Sequence, residues 1–204
     1  MSREGLVVRK TAIHRLLSVA IALIGLGASA ILADECPAER ALYGLETDEG
    51  PLEIGFLRSR NYASIASDLY LYLNTTQRTY WFTFSVSNGY SGMTLLPVTD
   101  PARSDAEPDG PRQLLDPAND DAGVQDAVRA LRFYALDKDF TFWFEPPNEG
   151  EAAPTYVMIP EIGLALWYGA DALTDDPAAD RDPMPRGMFQ RIACLDTIAP
   201  PAWP

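Results

Sequence analysis

Tyr80-Trp81-Phe82-Thr83-Phe84 and, sixty residues on, Phe140-Thr141-Phe142-Trp143-Phe144 each place four aromatic rings within five positions. Runs like these, short and closed off by Gly, Pro, Asn and Asp, read as antiparallel β-strands. Residues 41–46 and 52–57 flank Thr47-Asp48-Glu49-Gly50, a hairpin turn by composition. Residues 69–73 and 79–87 form a second hairpin around 74–78, and Asn88-Gly89 turns the chain into 93–98. Farther on, 132–136 and 140–145 pair across Asp137-Lys138-Asp139. Strands at 155–159 and 162–168 follow, parted by Pro160, which cannot donate to a ladder. The stretches 69–98 and 131–162 share an order of strand, polar turn, aromatic strand and Asn-containing loop. Either a duplication or two meanders with similar packing needs would produce that echo.

Two segments break the pattern. Residues 99–126 hold four prolines, eight acids and two arginines, so 99–118 reads as an exposed acidic, Pro-rich loop. A helix starts at Asn119, because Val124, Ala127, Val128 and Leu131 fall at i, i+3, i+4 and i+7. Residues 173–185 form a second acidic, Pro-rich loop, and 185–195 suit either a helix or a strand. The expected fold is all-β and mainly antiparallel: a small β-sandwich or partly open barrel with one or two short helices.

The N-terminus reads as an export signal. Residues 1–15 carry four positive charges and one negative; residues 16–28 (LLSVAIALIGLGA) are uncharged and mostly apolar; Ala28-Ser29-Ala30 supplies a small-residue cut site. The apolar run is too short to span a bilayer, and no later stretch is long or apolar enough to do so. Cleavage after Ala30 leaves one domain, residues 31–204, large enough to bury about 70% of its unfolded surface. Export places Cys36 and Cys194 in an oxidising compartment, where they pair and close almost the whole domain into one loop. The loop-entropy account gives such a bond at most about 5 kcal/mol. Eleven arginines against one lysine after the cut, with abundant Ala, Pro and Asp, favour a bacterial periplasm, with secretion as the other destination.

Composition then excludes whole classes of function. The exported chain has 12 basic and 28 acidic groups, a net charge of −16, and no basic cluster to neutralise phosphates. Nucleic acid is therefore not a partner. The only histidine, His14, leaves with the leader, so imidazole metal sites, Ser–His couples and Cys–His couples are absent. The residues carry no Gly-rich phosphate loop, nucleophile elbow, zinc spacing or recognisable family motif, and no cofactor or metal is expected.

What remains are aromatic residues and carboxylates. Strict alternation puts Trp81 with Thr83 on one face of 79–87, Trp143 with Thr141 and Glu145 on one face of 140–145, and Trp167 with Gly163 and Ala165 on one face of 162–168. Each tryptophan thus sits on the more polar or smaller-residue face of its strand. If those faces are open, Trp81, Trp143, Trp167 and Thr83 form a platform for a sugar ring or a protein partner. If the N-terminal hairpin or the helix near Val128 covers them, they are a minor core, the commoner fate of large aromatics on sheets. Asp137 and Asp139 flank a turn, as aspartate often does. Asp175, Asp176, Asp180 and Asp182 lack the spacing of a calcium loop and read as solvated. Lys138, in an exposed turn, is a poor partner for a catalytic serine. The leading expectation is an exported, non-enzymatic binding domain engaging a basic protein. A polysaccharide ligand on the tryptophan face is the alternative, and a carboxylate-dependent hydrolase the third.

Overall fold

A computed structural model describes residues 36–60, 63–86, 92–103, 110–115 and 131–202. The chain divides into Met1–Asp34 and Glu35–Pro204, and every described residue belongs to the second unit. The expected leader and its cut, the Asn88-Gly89 turn, and the expected helix from Asn119 as far as residue 130 lie outside the described residues.

Eight strands follow one another: β1 (Ala41–Thr47), β2 (Gly50–Arg58), β3 (Leu69–Asn74), β4 (Thr79–Val86), β5 (Met93–Val98), β6 (Arg132–Leu136), β7 (Tyr156–Met158) and β8 (Phe189–Cys194). Each pairs antiparallel with the next, and β8 returns to β1, so the sheet closes into a barrel. The all-β, mainly antiparallel expectation holds, with the barrel closed rather than open. Pairing is dense from β1 to β5 and thin beyond, where β5–β6 and β7–β8 share two residue pairs each.

Pro97 lies beyond the short β5–β6 pairing. Its carbonyl accepts from the Leu114 amide, on the side where its missing N–H would also point. A proline is tolerated there because β6 pairs only with Met93 and Thr94 of β5. Residues 112–114 take over that edge, with Thr99 N–H bonding the Arg112 carbonyl, so this part of the acidic loop lies along the sheet.

Alternation sends Leu52, Ile54, Phe56, Leu69, Leu71, Leu73, Tyr80, Phe82 and Phe84 inward, all buried. Phe56 meets Tyr43 and Phe133 edge-on at centroid distances of 5.9 and 6.5 Å, and Phe84 meets Phe133 at 5.0 Å. Eight strands enclose an interior just wide enough for such side chains. The lumen is a core.

Two expected strands are corrected. Residues 162–168 are not a strand but the helix α1 (Ile162–Gly169). Ile162, Ala165 and Leu166 join the core at i, i+3 and i+4, with Leu164 and Tyr168 outside. Short apolar runs satisfy both periods, and length alone did not decide this one. Gly163 is needed here, since a Cβ would sit 2.7 Å from the Pro185 carbonyl oxygen. Residues 140–145 likewise form no strand; a single bridge joins Leu136 to Phe142, while β7 takes the full pairing with β6. The echo between the two halves therefore ends at the sequence. The ambiguous stretch 185–195 contains β8.

The second acidic loop is pinned down rather than solvated along its length. Asp182 is 1% exposed. It accepts from the Tyr80 hydroxyl and from Thr75 Oγ1 at 3.2 Å, and its Oδ2 lies 3.4 Å from Arg78 Nε. Its own amide bonds the Leu166 carbonyl, so one residue ties the β3–β4 turn to α1. Asp175 pairs with Arg103 and Asp176 with Arg78.

Cys36 and Cys194 are bonded, with Cα atoms 5.8 Å apart, beside the β1–β8 seam. The bond fits an oxidising, extracytosolic setting. No helix among the described residues is long and apolar enough to cross a membrane.

Three measurements check this architecture. Cys36→Ser/Cys194→Ser is expected to lose about 2–5 kcal/mol in urea titrations, the loop being long. Asp182→Ala is expected to cost about 3–5 kcal/mol, because Arg78 and Tyr80 lose a buried partner, with Asp182→Asn milder. Burial pushes the Tyr43 and Tyr80 hydroxyls well above the usual tyrosine range. The unfolded chain then releases those protons first, so stability is full below the ordinary tyrosine pKa and falls as pH rises above about 10. Tyrosinate absorbance from these rings should appear together with unfolding.

Candidate functional site

The structure places the tryptophans and Thr83 in separate surroundings. Trp81 is on the outer face of β4, half-buried, its ring 5.6 Å from that of Tyr72. Both pack against a small outer cluster of Leu57, Tyr70, Val98 and Ala202. That cluster is held by the C-terminal segment, where Arg60 N–H bonds the Ala202 carbonyl and Ala202 N–H bonds the Arg58 carbonyl. Trp143 lies between exposed neighbours yet packs against the main core. Trp167 is on α1, with the Arg181 guanidinium 5.3 Å from its ring centre. The alternation argument thus applies to Trp81 alone, because Trp143 and Trp167 are not on strands. Thr83 is buried on the outer face of β4 and lines a cavity.

Beside Trp143 the structure exposes the phenylalanine face of this run. Phe140, Phe142 and Phe144 are 56%, 49% and 84% exposed. Phe140 stacks on Tyr156 of β7 at 5.0 Å with ring planes 12° apart, and Phe142 meets Tyr134 of β6 edge-on at 5.7 Å. Five aromatic rings thus line one arm outside the barrel.

Local chemistry builds the arm. Phe140 N–H bonds the Asp137 carbonyl and Asp137 N–H bonds the Thr141 carbonyl, a three-residue turn whose last position is left-handed. Glycine normally occupies that position; here Phe140 does, at φ 62°. Asp137 Oδ1 accepts from the amides of Asp139 and Thr141 at 2.8 and 2.9 Å. The Thr141 amide, above all, holds the Asp137 carboxyl below the usual carboxylate range. The three phenylalanines at i, i+2 and i+4 were visible in the sequence. Which face they take was not, since periodicity gives two faces without saying which is covered.

Two surface cavities lie outside the barrel. The larger, about 770 Å³, runs over the outer faces of β3, β4 and β5, with Ser64, Thr83, Ser85, Gln113 and Glu145 as its polar lining. Ile65 and Val86 on its wall are exposed. Among the described residues its lining includes one carboxylate, that of Glu145. The smaller, about 610 Å³, lies between the β1–β2 turn and α1. Lys138 is exposed at its turn. Among the described residues, no group of three or more His, Cys, Asp or Glu is placed to hold a metal ion.

Comparison with known proteins adds no assignment: no family model, no curated protein and no solved structure matches this chain.

Proposed function

We propose that this chain is an exported, non-enzymatic interaction domain that engages a basic protein partner on the outside of its barrel, in the periplasm or beyond the cell. The phenylalanine arm carries the reading. Its turn keeps a bulky residue in a left-handed conformation at a cost of about 1–2 kcal/mol. The ring so held stacks on Tyr156, is not among the described residues of the core, and remains 56% exposed. Strain that serves an exposed side chain points to recognition rather than packing.

Charge supports the choice of partner. Asp137, Asp139 and Glu145 flank the three rings, and the chain without its leader carries −16. Aromatic faces beside carboxylates suit Arg and Lys side chains, each contact contributing about 0.5–2 kcal/mol depending on desolvation. The field also speeds encounter with a cationic partner more than it raises final affinity. The export signal in the sequence and the disulfide support the location. A polysaccharide is the second reading, favoured by the hydroxyls of Ser64, Thr83 and Ser85 around the larger cavity.

Surface plasmon resonance against a cationic bait protein, across a salt series, tests the reading. Association is expected to slow as salt rises, and Phe142→Ser/Phe144→Ser to weaken binding by about 2 kcal/mol, roughly thirtyfold, in a variant whose melting curve shows that it is still folded. Salt-independent affinity removes the electrostatic claim, and an unaffected double variant removes the arm. The strain has its own measurement. Phe140→Gly and Phe140→Ala both delete the ring, yet Gly should be more stable by about 1 kcal/mol, reversing the usual order.

A further inference from the structure

The smaller cavity has a chemistry of its own. One wall is the β1–β2 turn, with Glu46, Thr47, Asp48 and Glu49; the other is Trp167 and Tyr168 at the end of α1, with Met184 and Arg186 beyond. The turn is tightly set. Thr47 Oγ1 donates to the Gly50 carbonyl at 2.6 Å and accepts from Glu49 N–H at 3.2 Å. Gly50, at φ 121°, leaves no room for a Cβ against Thr76. The hydroxyl satisfies the turn's backbone, so the carboxylates of Glu46, Asp48 and Glu49 are not spent on it. Among the described residues none of the three has an ion pair.

The facing wall is aromatic. Tyr168 is 67% exposed and Trp167 is half-buried, with the Arg181 guanidinium already seated over its ring at 5.3 Å. That contact is an internal example of the recognition this surface offers: a cation over an electron-rich face. Three carboxylates outnumber the two guanidiniums here, Arg186 in the lining and Arg181 over Trp167, and Arg186 is turned to Met184 Sδ at 3.7 Å. Carboxylates along one side, flat rings and a thioether along the other, match a chain of ammonium groups separated by methylenes. The ammoniums pair with the acids while the methylenes lie on Trp167, Tyr168 and Met184.

The geometry points to a binding site for linear alkylammonium chains, free polyamines or lysine side chains, between the β1–β2 turn and α1. It stands apart from the phenylalanine arm and does not depend on the function assigned to that arm.

Isothermal titration calorimetry with spermidine and with a tri-lysine peptide tests it, the two probes separating free polyamine from lysine side chain. One-site binding of either probe is expected, weakened about tenfold by Tyr168→Ala and at least as much by Asp48→Asn/Glu49→Gln. Both changes fall on exposed side chains, and melting curves check that the fold is intact. Phe142→Ser/Phe144→Ser should leave the titration unchanged. Binding of neither probe overturns the proposal. So does equal competition by magnesium at matched charge, which marks a diffuse counterion effect, or indifference to both cavity variants. Loss on changing the arm places the site elsewhere and also overturns it.

Discussion

The return of β8 to β1 is the pairing on which the rest depends. A meander left open would present two edges of unpaired amides and carbonyls. Here the last strand covers the first, and Arg40 exchanges backbone and side-chain bonds with Leu195 just beyond the seam. The Cys36–Cys194 bond lies beside that join. It limits the separation of the strands farthest apart in the chain, whose meeting carries the greatest loop-closure cost. Strand pairing and disulfide therefore act on one weakness, the seam, from two sides.

Closure has a chemical consequence. Eight strands enclose only enough space for their own side chains, and Tyr43, Phe56, Phe84 and Phe133 fill it. A recognition surface of the kind proposed has to lie on the outside, where the thin half of the barrel leaves room. β5 parts from β6 after two residue pairs, and the gap is bordered by the 112–114 segment and the phenylalanine arm. Dense pairing supplies stability, and incomplete pairing supplies the features that face solvent. The buried Asp182 cluster serves the first purpose, fixing the β3–β4 turn to α1, which is one wall of the smaller cavity.

The two aromatic pentads show how far sequence reading reached. In β4 alternation separates the two faces: Tyr80, Phe82 and Phe84 go in, and Trp81 faces outward, half-buried in the small outer cluster. In 140–144 burial does not alternate: Thr141 is exposed along with the phenylalanines, and only Trp143 packs against the core. The difference lies in the neighbours. β4 is paired along both edges, whereas 140–144 touches β6 through one bridge after a left-handed residue reorients the chain. The Trp81–Trp143–Trp167 grouping rested on three strands, and the fold supplies one.

Short-range chemistry was settled by the sequence alone. The turns around Asp48-Glu49 and Asp137-Lys138-Asp139 and the antiparallel β class follow from residue type and spacing, while the bond between the chain's only two cysteines, 158 residues apart, follows from there being no other candidates. Tertiary structure decided closure, the helix at Ile162–Gly169, the face exposed by each aromatic run, and the burial of Asp182. These are relations between segments distant in the chain. Backbone periodicity defines two faces of a strand, but only the packing of other segments determines which face loses its water.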